Sequence, residues 1–221
     1  MGTNINSAQL PPEKRNALLR IFGKLKHRIL WKWEDDQMEG KPENVMIGKW
    51  LPQDDILAHP NVRLFISHCG KGSVNEAKYH GVPILAVPLF GDQISNARQI
   101  EQEGWARTIN IAQLDEEAII KLIMELIENP KYKNIVKAAA DLYRDRPMSA
   151  LDTAVYWVEY VIRHNGARHM QSQAVDLNFI QYYALDVYGL IGIVVFIVFK
   201  GLKLIMCLSL PGFRLKKTKL E

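Results

Sequence analysis

Residues 65–77, FISHCGKGSVNEA, set a histidine, a cysteine, two glycines, two serines and a glutamate where an apolar run turns into a helical pattern. Four readings compete for such a bend: a phosphate cradle, a metal site, a nucleophilic triad, or a plain connection. Gly70 and Gly72 permit close backbone approach. A helix beginning there presents unpaired N–H groups and the positive end of its dipole, which suits an anion. His68 can add a donor to a phosphate oxygen, and Ser73 a hydroxyl. The P-loop spacing G-x-x-x-x-G-K-[ST] is absent despite the GKGS run, and so is the G-x-S-x-G elbow of serine hydrolases. Neither C-x-x-C nor H-E-x-x-H occurs, so His59, Cys69 and His80 read as surface or packing residues rather than metal ligands. On its own, the bend remains either an anion site or a structural turn.

Short strands and helices must position these groups. HRILWKWE, NVMIG, VRLFISH, PILAVP and ARTINI are short apolar runs. PPEKRNALLRIFGKL, SVNEAKYH, QISNARQIEQEG and LDEEAIIKLIMELIENP carry helical spacing between or after them. Asp115 is placed to cap the last of these, and Pro130 to close it. Two amphipathic helices follow, over 131–145 and 149–164. The alternation predicts an α/β domain over residues 1–165, a parallel sheet with helices on both faces.

Charge excludes one class of partner. The chain of 221 residues has a net charge of +4, but Lys200, Lys203, Arg214, Lys216, Lys217 and Lys219 lie at its end, leaving 22 basic against 23 acidic residues over 1–199. No basic stripe interleaved with aromatics appears elsewhere, so no nucleic-acid partner is expected. Cys69 and Cys207 make no disulfide framework.

A polar connector over 166–181 leads into YYALDVYGLIGIVVFIVFKGLKLIMCLSL. A transmembrane helix over 182–203 puts Tyr182 and Tyr183 at one interface and lets Lys200 and Lys203 snorkel at the other. A window of 187–210 would bury Lys200 at a cost of about 2.5–3.5 kcal/mol. The basic tail, 204–221, is then expected in the cytosol and the globular part in the lumen. MGTNINSAQL has no apolar signal-peptide core, and Asn6 breaks the myristoylation pattern. That conflict points to polypeptide preceding this sequence. The ending KTKLE is similar to a dilysine endoplasmic-reticulum retrieval signal, implying a single-pass protein of that membrane.

The flanks of the bend carry a more specific message: WLPQDDILAHP before it, and HGVPILAVPLFGDQISN after it. From Trp50 to Gln93 these residues resemble the signature of membrane-bound animal UDP-glycosyltransferases, W-x-P-Q, H-P, F-I-x-H-x-G, S-x-x-E, G-V-P and P-x-F-x-D-Q-x-x-N. MGTN and RHNGARH extend the resemblance over essentially the whole chain. It implies the Rossmann-like C-terminal half of a GT-B fold, followed by one membrane anchor.

By this resemblance Trp50 stacks on uracil, although an indole here could equally be a core residue. Gln53 is implied near the nucleoside, and Glu76 accepts from the ribose hydroxyls. His68, Gly70 and Ser73 hold the diphosphate. Asp92 and Gln93 read hydroxyls of the donor sugar, with Asn96 and Thr3 as further candidates. Lys71, Gly72 and Cys69 depart from residues common in vertebrate members. The implied activity is hexosyl transfer from a UDP-sugar to a small lipophilic acceptor hydroxyl, with inversion and without a metal or other cofactor. The catalytic base belongs to an N-terminal acceptor domain, and none of His27, His59, His80, His164 and His169 has its context. The chain is expected to supply donor binding and anchoring without that base. The alternative is a truncated, non-catalytic membrane partner of full-length glycosyltransferases. The sequence leaves homo- or hetero-oligomer formation open.

Overall fold

A computed structural model describes residues 6–209 of the chain. Thr3 and the tail from residue 210 onward lie outside the described residues. The chain divides into two units, Met1–Pro147 and Met148–Glu221.

The first unit alternates strands and helices as the apolar periodicity predicts. Its order is α1 (Pro12–Gly23), β1 (Ile29–Lys32), β2 (Val45–Gly48), α2 (Gln53–Ala58), β3 (Phe65–Ser67), α3 (Lys71–Tyr79), β4 (Ile84–Ala86), α4 (Asp92–Gln102), β5 (Ala106–Thr108), α5 (Glu116–Glu128) and α6 (Pro130–Arg144). All strand pairings are parallel, as expected, and among the described residues the strands form two sheets, β1-β2 and β3-β4-β5.

Ile84, Leu85 and Ala86 of β4 are all buried, as a strand covered on both faces requires. One apolar cluster joins Leu19 and Phe22 of α1, Trp31 of β1, Val45 of β2, Leu85 of β4 and Ile119, Ile123 and Leu126 of α5. A second gathers Val74, Ala77, Ile84, Ala97, Ile100, Trp105 and Val136 between the three-stranded sheet and α3, α4 and α6. Each of the larger side chains is worth about 1.5–3 kcal/mol of burial, so both faces of the sheet are anchored close to the bend.

Local signals act where the sequence places them, with one exception. Asp115 caps α5 by accepting from the Ala118 N–H. Pro130 does not close that helix: α5 ends at Glu128, and Pro130 opens α6, capped by Asn129. Proline lacks an N–H and has a fixed φ, so it is better suited to a helix's first position.

The second unit begins at Met148. It contains α7 (Ala150–Arg163), capped by Ser149, α8 (Phe179–Tyr182) and α9 (Leu185–Ser209). None of the α7 side chains is buried, although the helix is strongly amphipathic. Among the described residues one helix is long and apolar enough to cross a membrane, over Leu185–Cys207. This stretch differs from the predicted 182–203. Ala184 adopts a left-handed φ of 52°, which separates Tyr182 and Tyr183 from the long helix. Lys200 and Lys203 therefore lie inside the apolar stretch, with the Lys200 ammonium 5.3 Å from the centre of the Phe196 ring.

Candidate functional site

The carboxyl ends of β2, β3 and β4 lead into the segments that hold almost all of the predicted site residues. In open α/β sheets ligands gather at this end of the strands. β3 ends at Ser67, and the chain turns through His68, Cys69 and Gly70 into α3. The helix starts at Lys71, two residues before the SVNEAKYH pattern, with Gly70 as an N-cap that brings no side-chain oxygen. The Val74 N–H is the first to reach back, to the Gly70 carbonyl. The amides of Lys71, Gly72 and Ser73 thus head the helix without a capping side chain, the arrangement that favours an anion.

Gly70 is required by a close approach rather than by its torsion. A Cβ there would stand 2.7 Å from Nε2 of His68, so the imidazole lies directly against the start of the helix. His68 is only 6% exposed, and its Nδ1 has no partner among the described residues. Burial pushes the His68 pKa below its ordinary value of 6.5, while the Asp92 carboxylate acts in the opposite sense. The neutral ring retains one N–H to donate.

Gln53, Ser73 and Glu76 converge although they lie on two helices. The Gln53 side-chain amide donates to Ser73 Oγ at 3.1 Å and to Glu76 Oε2 at 2.6 Å. Gln53 opens α2, while Ser73 and Glu76 share one side of α3. Trp50, just ahead of α2, is 74% exposed and is therefore not a core tryptophan.

The Asp92–Gln93 segment is more constrained than its sequence suggests. Gln93 is buried, and its Oε1 accepts from the N–H groups of Leu89 and Phe90 at 2.9 and 3.3 Å. Among the described residues its amide N–H groups have no partner. Asn96 donates to the Cys69 carbonyl at 3.0 Å and to Asp92 Oδ2 at 2.8 Å, tying the two loops together. Its side chain is thus placed as a strut, a role that the N at the end of D-Q-x-x-N does not reveal. Cys69, beside it, holds a left-handed φ of 65°, and its backbone N–H donates to Ser67 Oγ. Burial pushes its thiol up to about 12, which keeps it protonated and unreactive at neutral pH. The adjacent glycine is the one signal that could have marked this strained position. His59 is exposed, and His80 pairs with Asp54 at 2.8 Å, in line with surface and packing roles. Among the described residues no cluster of histidine, cysteine or carboxylates could hold a metal ion.

The profile of the UDP-glucoronosyl and UDP-glucosyl transferase family matches residues 1–217. This chain belongs to that family. UDP-glycosyltransferase UGT5 of Dactylopius coccus is 46% identical over 208 residues, covering 92% of this chain and 40% of the relative. UDP-glucuronosyltransferase 1A9 of Mus musculus is 38% identical over 197 residues, covering 87% of this chain and 37% of the relative. The chain thus spans about two-fifths of the length of the curated relatives it matches. Among solved structures, a UDP-glucose: anthocyanidin 3-O-glucosyltransferase in complex with UDP superposes with a TM-score of 0.60 at 21% identity, over 67% of this chain and 35% of that one. The glycosyltransferase of kitacinnamycin gives 0.58 at 23%, over 65% and 38%. The fold of the family member described here is that of one half of a GT-B glycosyltransferase.

Proposed function

We propose that this chain is the donor-binding half of a membrane-anchored UDP-glycosyltransferase, which moves a hexose from a UDP-sugar to a small lipophilic hydroxyl. The observation that carries this is the convergence of Gln53, Ser73 and Glu76 beside the His68–Gly70 bend at the head of α3. Trp50 offers an aromatic face to uracil, and Glu76 a carboxylate to the ribose diol. The uncapped amides of α3 and the His68 ring meet the diphosphate. These donors supply the charge stabilisation that a bound cation would otherwise give, so the departing UDP is held without a metal. Asp92 accepts from a sugar hydroxyl, and the Gln93 amide donates to its neighbour.

Inverting transfer further requires an acceptor hydroxyl held in line with the anomeric carbon and a base to take its proton. We assign both to polypeptide outside this chain. The proposed setting is the endoplasmic-reticulum membrane, with α9 as the anchor, the globular unit in the lumen and the basic tail in the cytosol. Glucose is the proposed donor sugar.

Titration calorimetry of the detergent-solubilised chain with UDP tests the site. The expected result is saturable heat that Trp50→Ala and His68→Ala each weaken while circular dichroism stays unchanged. Equal, non-saturating heats for all three folded proteins would overturn the assignment.

A further inference from the structure

The segment that leads into α9 pairs its polar side chains with its own backbone. Ser172 caps the short helical turn Gln173–Asp176 by accepting from the Ala174 N–H. Asn178 accepts from the Gln181 N–H at 3.0 Å, and the Gln181 side chain accepts in return from the Asn178 N–H at 3.3 Å. This capping box closes α8 although the helix has only four residues. What faces outward is apolar. Val175, Leu177, Phe179, Ile180, Tyr182 and Tyr183 are each between 45% and 72% exposed. The Phe179 and Tyr183 rings lie 4.9 Å apart, and those of Tyr182 and Tyr183 5.1 Å. Asp176 is the only charged residue over 170–183. Exposed apolar groups gathered in this way mark a contact surface.

The place of this surface selects its partner. Tyr183 and the left-handed Ala184 alone separate α8 from α9, a link of at most about 11 Å. Asp186, in the first turn of α9, marks the wet end of the apolar stretch Leu185–Cys207. If α9 crosses a bilayer, α8 cannot leave the layer where headgroups meet acyl chains. That layer takes aromatic rings whose phenol ends stay hydrated, and it favours backbone whose polar groups are already paired. We propose that residues 175–183 form an interfacial foot, lying in the headgroup layer of an uncharged bilayer ahead of the span. The segment has neither lysine nor arginine, so insertion of Phe179 and Ile180 holds it there rather than attraction to anionic lipid. The foot rests on the reading of α9 as the anchor and is independent of the donor site.

The test uses the whole chain with Cys207→Ser, in which the buried Cys69 stays unlabelled, reconstituted in phosphatidylcholine vesicles. A nitroxide is attached in turn to Phe179→Cys, Ile180→Cys and Val195→Cys. Each variant keeps the other apolar residues of the segment. Depth is read from the balance of collisions with oxygen and with a water-soluble nickel complex. The expected result is a label about 5–10 Å deep at 179 and at 180, a label near the midplane at 195, and unchanged depths when phosphatidylserine is added. Labels in water at 179 and 180 with a label in the bilayer core at 195 would overturn the foot and leave the anchor standing. Labels in water at all three positions would overturn the anchor and the foot together. Labels at 179 and 180 shielded from both collision partners, in a chain of dimeric mass, would assign the surface to a second copy and overturn the proposal. A depth reached only with phosphatidylserine present would overturn it as well.

Discussion

The loop from His68 to Gly70 and the loop from Leu89 to Asp92 stand side by side and are built in opposite ways. In the first, His68 Nδ1 is unpartnered among the described residues, and no side chain caps the head of α3. The second is tied down, with Gln93 holding Leu89 and Phe90 and Asn96 holding both Asp92 and the Cys69 carbonyl. On the proposed reading, one loop is equipped to bind, and the other keeps it in place. Substitutions in the first should therefore cost affinity, and substitutions in the second should cost stability.

Gly70→Ala should break the binding loop most severely. Its φ of −59° suits alanine, so the backbone is not strained. The added carbon must instead displace the buried His68 ring. We expect UDP affinity in calorimetry to fall by about 3 kcal/mol, the upper range for a hydrogen bond to a charged group, with little change in Tm. Asn96→Ala should do the reverse. It leaves the Cys69 carbonyl without its side-chain partner and should cost about 1–3 kcal/mol in urea unfolding. Trp50→Ala sharpens the contrast because the indole is exposed. It should remove about 1–3 kcal/mol of UDP binding, as for other base–aromatic stacks, and leave stability unchanged.

Acid separates the two readouts at one residue. Burial holds the His68 pKa below its ordinary 6.5, so the unfolded chain takes up the proton more readily. Stability is fully present above about pH 6.5 and is lost as the pH falls below it. UDP affinity should move the other way, because an imidazolium meets a diphosphate better than a neutral ring does. Melting curves and UDP titrations between pH 5.5 and 7.5, compared with His68→Gln, check both slopes. The smallest effect is expected at Cys69. With its thiol pushed up to about 12, it should resist iodoacetamide at pH 8 in the folded chain and react once the chain is unfolded.

Much of this is legible in the sequence. The apolar runs locate the strands, most plainly β4, whose Ile84, Leu85 and Ala86 are all buried. Asp115 declared its cap, since a carboxylate there has an N–H to accept from. Pro130 misled because a proline can end one helix or begin the next, and spacing does not distinguish these. The long apolar helix starts at Leu185, and nothing in the Tyr-Tyr-Ala run announces the left-handed Ala184 before it. Exposure of Trp50 excludes the core role that its residue type left open. The struts were hidden: an Asn or a Gln in a motif looks the same whether its amide faces a ligand or a neighbouring loop. The division into two sheets was illegible for the same reason, since a strand's pairing partners are set by segments remote in sequence.

The bond from the Gln53 amide to the Glu76 carboxylate has a consequence for selectivity on the proposed reading. A carboxylate already engaged by an internal donor is occupied by a resident tenant. A ribose with two adjacent hydroxyls can evict that tenant and return two contacts for one. A 2′-deoxyribose has a single hydroxyl to offer, so its exchange is even and the tenant stays. Discrimination between the two nucleotides would then reside in a swap of partners, and dUDP would be refused without any group being placed to repel it.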